Sequence, residues 1–360
     1  MSKTIFFITN ALSGGGAERV MSNLANYLTH KGYTIKFILL NGDTVVYPLD
    51  SSVEIIVRTD KNGRDTLAQI KFIRQYMKQN KDALFVSFFT HQNIYTILAS
   101  IGIRARVLVS ERNDPNNSFA PNLKKIMDPL RKILYKNHHC KKVIFQTSGA
   151  ADYFSKKIKN KGLVIPNPLK KDLIPAYYGD RKNTVVAVGR LNSQKNYPLL
   201  LKAFKKFSQH HPQYKLEIYG DGVLRPKMED FINRNDLADK VELCGFCQNV
   251  HERIIDAGMY VMSSDFEGLS NALIEAMALG LPVISTDHPP GGAREYITDY
   301  DNGILTPVGD IDALADAMCY VAEHPDKAKE MAKNAAAVRD KLSFDDICKK
   351  WQAVFDSILQ

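Results

Sequence analysis

The sequence predicts an α/β protein of two doubly wound, Rossmann-like parallel-sheet domains. Its 360 residues exceed what one ordinary hydrophobic core organises and suit two domains of moderate size. Short apolar runs rich in β-branched and aromatic residues alternate with helical segments nearly from end to end, the pattern of βαβ units. The alternation pauses once, at "GLVIPNPLKKDLIPAYYGDRKN", which holds three prolines and little periodicity, and then restarts.

Before the pause, "TIFFIT", "TIKFILL", "VEIIV", "ALFVSFF", "RVLVS" and "KVIFQT" read as strands, with helical segments such as "AERVMSNLANYLTHKG" between several of them. After it come "TVVAVGR", "KLEIYG", "KVELCG", "MYVMSS" and "PVIST". The expected division is a first domain over 1–168, a second over 169–342 and a closing helix over 343–360. In that last segment Ile347, Trp351, Phe355 and Ile358 share one helical face, which would pack back across the interdomain joint. No internal repeat or low-complexity tract interrupts the pattern.

A hydrophobic content of 45% and a mean hydropathy of −0.23 describe a soluble globular chain. No apolar run approaches the roughly 20 residues that span a bilayer. The start, "MSKTIFFITN", has too short an apolar core for a signal peptide and reads as a first buried strand. Five cysteines (Cys140, Cys244, Cys247, Cys319, Cys348) are odd in number and scattered, which fits a reducing cytoplasm. Cys244 and Cys247 form a lone C-x-x-C without a second pair, so packing explains them better than zinc or redox chemistry.

Charge is divided along the chain. Met1 to Lys170 holds 26 Lys and Arg against 11 Asp and Glu, a net +15, whereas the rest holds 22 against 28, a net −6. The first half is therefore expected to face something anionic. Its densest part, "NLKKIMDPLRKILYKNHHCKK", contains Lys124, Lys125, Arg131, Lys132, Lys136, Lys141 and Lys142. Ile126, Leu130, Ile133 and Leu134 recur there at helical spacing, which suggests a basic amphipathic segment or a solvated face on a core helix. Nucleic acid is not expected, because interleaved aromatics and a recognised binding motif are both missing.

Three stretches carry candidate chemistry. "NALSGGGAERV" follows the first strand and opens the first helix, where Gly14, Gly15 and Gly16 allow close backbone approach to a phosphate. It does not complete a dinucleotide fingerprint: Arg19 stands at the third glycine, and Asp43, the nearest acid, comes late. "VAVGRLNSQKNYPLLLKAF" places Arg190 and Lys195 in the loop after the first strand of the second domain, where two cations suit a diphosphate. "SSDFEGLSNALIEAMALGLPVIS" sets Glu267 in a loop and Glu275 in the second turn of the helix that follows. Ser270 or Asn271 is the expected N-cap, Gly280 the C-terminal cap, and the amides of Leu269 to Leu273 an anion site. Two carboxylates beside such a site suit a ligand that adds hydroxyls or developing positive charge to its phosphates, as a sugar nucleotide does.

"GRLNSQKN", "GDGVLRPKME", "GFCQNVHERIIDAGMYVMSSDFEGLSNALIEAMALGLPVISTD" and "SGGGAERV" together resemble the retaining family-four glycosyltransferases of the GT-B fold, in the expected order from about Ile5 to past Gly309. The likeness is to bacterial members that build cell-surface or lipid-linked glycans. It implies two domains facing a central cleft, with Glu275 on the donor ribose and Glu267 against the donor sugar. Arg190, Lys195 and the amides of Gly268, Leu269, Ser270 and Asn271 would neutralise the leaving diphosphate. Gly15 and Gly16 would approach from the opposite wall, and the base would sit around Gly245, Phe246 and Asn249. Retention by attack on the face of the departing phosphate would follow.

The only D-x-D, Asp310 to Asp312, reads as a helix cap, so no metal and no other cofactor is expected. Many relatives carry a first-domain histidine in a "SEH"-like stretch; here "VSERNDPNN" puts Arg112 there, which can pair with an acceptor phosphate but cannot act as a base. His91, at the end of an earlier strand, is the other candidate for contact with acceptor or sugar. The expected partners are a UDP-sugar, with "STDHPPGGAREYI" pointing to UDP-N-acetylgalactosamine or UDP-galactose, a lipid-linked or oligosaccharide acceptor, and an anionic membrane surface. The expected location is the cytoplasmic face of the cell membrane. A sugar-nucleotide epimerase, a phosphorylase-type enzyme and a non-catalytic sugar-nucleotide sensor are competing functions that fold alone does not separate.

Overall fold

The computed structural model describes residues 3–60 and 65–360. The chain divides into two compact units: residues through Pro168 together with Phe344–Gln360, and Leu169–Ser343.

The first unit holds a seven-stranded sheet formed by β1 (Lys3–Thr9), β2 (Tyr33–Leu39), β3 (Glu54–Val57), β4 (Leu84–Ser87), β5 (Arg106–Glu111), β6 (Cys140–Phe145) and β7 (Gly162–Val164). Their order is β3-β2-β1-β4-β5-β6-β7, and every pairing is parallel. The central strands β1 and β4 are apolar on both faces because helices cover both, as a parallel sheet requires. The strand order reverses between β1 and β4, so the chain leaves these two strands in opposite directions and opens a crevice at their carboxyl ends.

The second unit repeats the plan with β8 (Lys182–Val188), β9 (Lys215–Tyr219), β10 (Val241–Gly245), β11 (Ala257–Met262), β12 (Val283–Thr286) and β13 (Ile304–Thr306). Its order is β10-β9-β8-β11-β12-β13, again all parallel, with the reversal between β8 and β11. Doubly wound parallel sheets are thus present as expected. Two strands escaped the sequence reading: β7 lies inside the stretch taken as a pause, and β13 was not marked. Each has three residues at a sheet edge, too few to show a period.

The closing helix, Phe344–Leu359, belongs to the first unit. Trp351 stacks on Phe88 at 5.2 Å between ring centroids, and Phe355 meets the edge of Phe7 at 6.4 Å. Tyr33 also donates its hydroxyl to Asp356 at 2.6 Å, fixing the helix to the start of β2.

The basic segment differs from its sequence reading. Helix Pro121–Lys136 forms, but Arg131 is fully buried rather than part of a charged surface. Its guanidinium pairs with Asp128 and lies 3.5 Å from Glu111, and rings of Phe119, Tyr153 and Phe154 surround it at 5.2, 5.4 and 5.0 Å. Lys132 is also tied to Asp128, at 2.8 Å. Two buried acids need a cation beside them, and that requirement draws Arg131 inward. Lys141 and Lys142 lie in β6 and so belong to a different element.

Candidate active site

In the second unit, the loops at the carboxyl ends of β8 and β11, where the strand order reverses, bring the two halves of the sequence motif together. After β8 the chain passes Gly189 and Arg190 into a short 3-10 turn, Ser193–Lys195. Asn192 caps this turn by accepting from the Lys195 amide at 3.2 Å. After β11, Ser263 donates its hydroxyl to the Lys195 carbonyl at 2.9 Å. The Asp265 amide bonds to the Gln194 carbonyl at 2.9 Å, and Asn196 donates to the Asp265 carboxylate at 2.7 Å. These crosslinks hold the two loops in one register.

Three glycines make that register possible. At Gly220 a side chain would stand 2.0 Å from the Gly189 carbonyl oxygen, and at Gly222 it would stand 2.6 Å from that of Leu191. At Gly292 a side chain would meet the Gly268 carbonyl oxygen at 1.9 Å, so the loop after β12 can lie directly under the Glu267 loop. There the Glu267 amide bonds to the Pro289 carbonyl at 3.0 Å.

The result is a close charge pair. Lys195 Nζ lies 2.7 Å from Glu267 Oε1, with side chains only 14% and 13% exposed. The sequence reading gave these residues separate ligands, and the structure places them in contact. Arg190 stands at the same strand end with its guanidinium exposed and, among the described residues, not paired with a carboxylate. His288, fully buried, sits in the field of both Glu267 and Lys195. Burial lowers its pKa, with Glu267 acting in the other direction, which favours neutral imidazole at pH 7.

Helix Asn271–Ala278 follows, capped by Ser270. The Ser270 hydroxyl accepts from the Leu273 amide at 3.4 Å and its carbonyl accepts from the Ile274 amide at 3.2 Å. Of the amides in the expected anion site, the one at Leu273 is already engaged by the cap; Gly268, Leu269, Ser270 and Asn271 lie in the loop and first turn just before it. Glu275 is 5% exposed and its Oε2 lies 2.9 Å from His251 Nε2. Sequence reasoning missed both His251 and His288. A histidine inside "NVHERII" or "TDHPPGG" carries no local sign of what it will touch.

The stretch assigned to the base turns out of the sheet after β10. Gly245 has φ +73, a left-handed value that favours glycine, and its carbonyl accepts from Gly220 at 2.7 Å. Phe246 is 78% exposed, an apolar ring available to stack on a ligand, and Asn249 opens the short helix that carries His251.

In the first unit, Gly15 is the N-cap of helix Gly16–Thr29. The left-handed backbone is at Gly14, φ +97, so the turn demands glycine there. His91 is the second residue of helix Thr90–Ser100, at the carboxyl end of β4, with its ring edge-on to Phe119 at 5.3 Å. Burial lowers its pKa, opposed by Glu111. Arg112 donates to the Ile165 carbonyl at 3.1 Å and to Asn167, and lies over Phe88 and Trp351 at 5.4 and 5.8 Å. It braces β5 against the chain after β7 and the closing helix, so both terminal nitrogens of its guanidinium are engaged inside the unit.

Other polar groups have local duties. Asp310 caps helix Ile311–Glu323 by accepting from Ala313 at 2.9 Å, and Asp312 pairs with Lys206. Among the described residues, one group of three could hold a metal ion: His211, Cys319 and Glu323, whose ligand atoms lie within 4.8 Å of one another. It lies at the far end of helix Tyr197–His210 from Lys195, about 20 Å away along the axis. Cys140 and Cys348 are buried, and burial pushes each thiol up to about 12.

The fold has clear counterparts among solved structures. Anabaena HepE in complex with UDP matches with a TM-score of 0.82 at 19% identity, covering 99% of this chain and 100% of that one. Sucrose-phosphate synthase from Thermosynechococcus elongatus matches with a TM-score of 0.83 at 18% identity, over 99% and 98%. These likenesses define the class: the chain has the GT-B fold.

Residues 177–338, nearly all of the second unit, match the family model described as "Glycosyl transferases group 1". One similar protein is the Campylobacter jejuni GalNAc-alpha-(1->4)-GalNAc-alpha-(1->3)-diNAcBac-PP-undecaprenol alpha-1,4-N-acetyl-D-galactosaminyltransferase, 28% identical over 96% of both chains. An uncharacterized glycosyltransferase of Haemophilus influenzae is 24% identical, over 98% of this chain and all of the other. The chain is thus similar to glycosyltransferases over nearly its whole length, and its second unit to those of group 1.

Proposed function

We propose that the protein is a retaining, metal-independent transferase that moves a hexose or N-acetylhexosamine from a UDP-sugar to a lipid-linked or polysaccharide acceptor. The contact between Lys195 and Glu267, with Arg190 at the same strand end, carries this reading. Cleaving a glycosyl phosphate builds negative charge on the diphosphate and positive charge at the anomeric carbon. A cation and an anion held side by side match both changes, and fixed charges of this kind need no reorganisation during reaction. Glu267, held by an ammonium group, serves the sugar hydroxyls and the developing charge, while Lys195 and Arg190 receive the diphosphate. Glu275 takes the ribose hydroxyls and Phe246 the base. Two cations supply the charge that a divalent metal would otherwise bring, which supports metal independence.

The Campylobacter relatives, whose names specify N-acetylgalactosamine transfer to undecaprenol-diphosphate glycans, support UDP-N-acetylgalactosamine as the first donor to test. Purified protein should release UDP from that donor only when a polyprenyl-diphosphate-linked glycan is present; release without acceptor would sink transferase function. Glu275→Gln should weaken UDP binding about tenfold by titration calorimetry, the scale of losing a charged hydrogen bond, and unchanged affinity would remove its ribose role.

The acceptor reading places the protein at the inner membrane face. No helix among the described residues is long and apolar enough to cross a membrane. Helix Pro121–Lys136 instead exposes Leu123, Ile126 and Ile133 at 47%, 70% and 65%, beside the exposed Lys125 and Lys136. Apolar residues flanked by lysine support docking on anionic lipid. Arg131 and Lys132 play no part in this, being paired inside the unit. Replacing Ile126 and Ile133 by Asp should abolish co-sedimentation with phosphatidylglycerol vesicles while the circular dichroism spectrum stays unchanged. Equal sedimentation of the variant would refute docking through this helix.

A further inference from the structure

We propose that His251 is a positioning residue of the donor site, which orients Glu275 and thereby sets the preference for a ribonucleotide. The inference rests on the reading of Glu275 as the ribose-binding carboxylate. Both side chains are withdrawn from water, His251 at 11% and Glu275 at 7% exposure. An ionised carboxylate at that depth is costly unless it is hydrogen-bonded. His251 Nε2 stands 2.9 Å from Glu275 Oε2. A carboxylate offers only acceptors, so the proton lies on Nε2 and the imidazole is the donor.

The bond does more than satisfy Glu275. His251 is the second residue of the helix Val250–Ile254, which begins directly after the Gly245–Asn249 stretch that the proposed function assigns to the base. Glu275 is in the second turn of the helix that starts at Asn271. One imidazole therefore connects the base-side loop to the ribose-side carboxylate. It fixes the rotamer of Glu275 and holds Oε2, so that the carboxylate meets a vicinal diol in one orientation. Without His251 the carboxylate would still be present, but Oε2 would lose the bond that sets its orientation toward the diol.

The test compares UDP with 2′,3′-dideoxy-UDP by titration calorimetry in the wild type and in His251→Ala, His251→Gln and Glu275→Gln. The wild type should prefer UDP by about tenfold or more, the scale of hydrogen bonds to a charged group. His251→Ala should reduce that preference to near parity while dideoxy-UDP affinity stays close to the wild-type value. His251→Gln, whose amide nitrogen reaches a similar position, should restore much of it, which a residue that merely fills space would not do. Should the alanine variant not fold, His251→Phe fills the space without a donor and serves in its place.

A ribose preference that survives His251→Ala or His251→Phe but is lost in Glu275→Gln would overturn the positioning role alone. A preference that survives Glu275→Gln would overturn the ribose reading and the inference with it.

Discussion

Replacing Lys195 by Ala is expected to lower kcat by about 100- to 1,000-fold, the cost of removing one preorganised group that stabilises developing charge. Lys195 is placed by backbone on both sides: Asn192 receives its amide and Ser263 donates to its carbonyl. Gly189 leaves room for its stem, since a side chain at Gly189 would stand 2.8 Å from Lys195 Cε. The ion pair with Glu267 holds the ammonium group, so under the proposed function little side-chain entropy remains to be lost on binding a diphosphate. The substitution also leaves Glu267 without its ammonium partner, so the variant loses charge on the leaving group and alignment at the sugar together. Initial rates against donor concentration would separate the effects. A raised KM with unchanged kcat would mean that Lys195 binds ground and transition states equally, which would remove its catalytic role. Circular dichroism and a melting curve like the wild type's would exclude misfolding, as expected for a residue at a loop rim.

Replacing Arg131 by Met should destabilise the first unit by about 3–5 kcal/mol, the cost of leaving buried charge unpaired. Glu111 and Asp128 would both remain, with Lys132 on Asp128 and the Tyr135 hydroxyl on Glu111 as partial compensation. The pH dependence gives an independent check. Burial would raise the Asp128 pKa, but Lys132, Arg131 and Tyr153 together pull it below the usual carboxylate range. A depressed carboxyl pKa contributes stability above the unfolded value, and that contribution disappears as pH falls through the folded value. Wild-type stability should therefore decline as pH drops below about 4, near the unfolded Asp value. In Arg131→Met the decline should be shallower, because part of the favourable shift is already gone. Urea unfolding at pH 7 and pH 4 measures both quantities. Equal stability of variant and wild type at pH 7 would show that Arg131 is exposed in solution.

The strand pattern was legible because its causes are local. The middles of "TIFFIT" and "TVVAVGR", Ile5 to Ile8 and Val185 to Val188, are apolar because strands covered on both faces admit few polar side chains. Glycine and proline mark the turns because they alone fit certain dihedral angles. The short edge strands β7 and β13 were missed for the same reason in reverse, since three residues carry no period. At the site, Glu267, Glu275, Arg190 and Lys195 were visible as residue types at loop and helix positions. Their partners were not. Arg131 was read as a surface charge because helical periodicity reports which face is apolar but not whether an acid from a neighbouring strand waits beneath it. Arg112 was read as an acceptor contact because its position after β5 is at a strand end; that its donors turn to Ile165 and Asn167 depends on where β7 lies.

The α/β class, the order of elements and the glycine-marked loops that could hold a phosphate follow from residue order alone, because periodicity, propensity and backbone freedom act over a few residues. That Lys195 meets Glu267, that His251 holds Glu275 and that Arg131 faces inward are consequences of long-range packing. Those contacts join segments far apart in the chain. The reversal of strand order at β8 and β11 brings the first pair together at the carboxyl ends of these central strands, and packing beneath the surface settles the others.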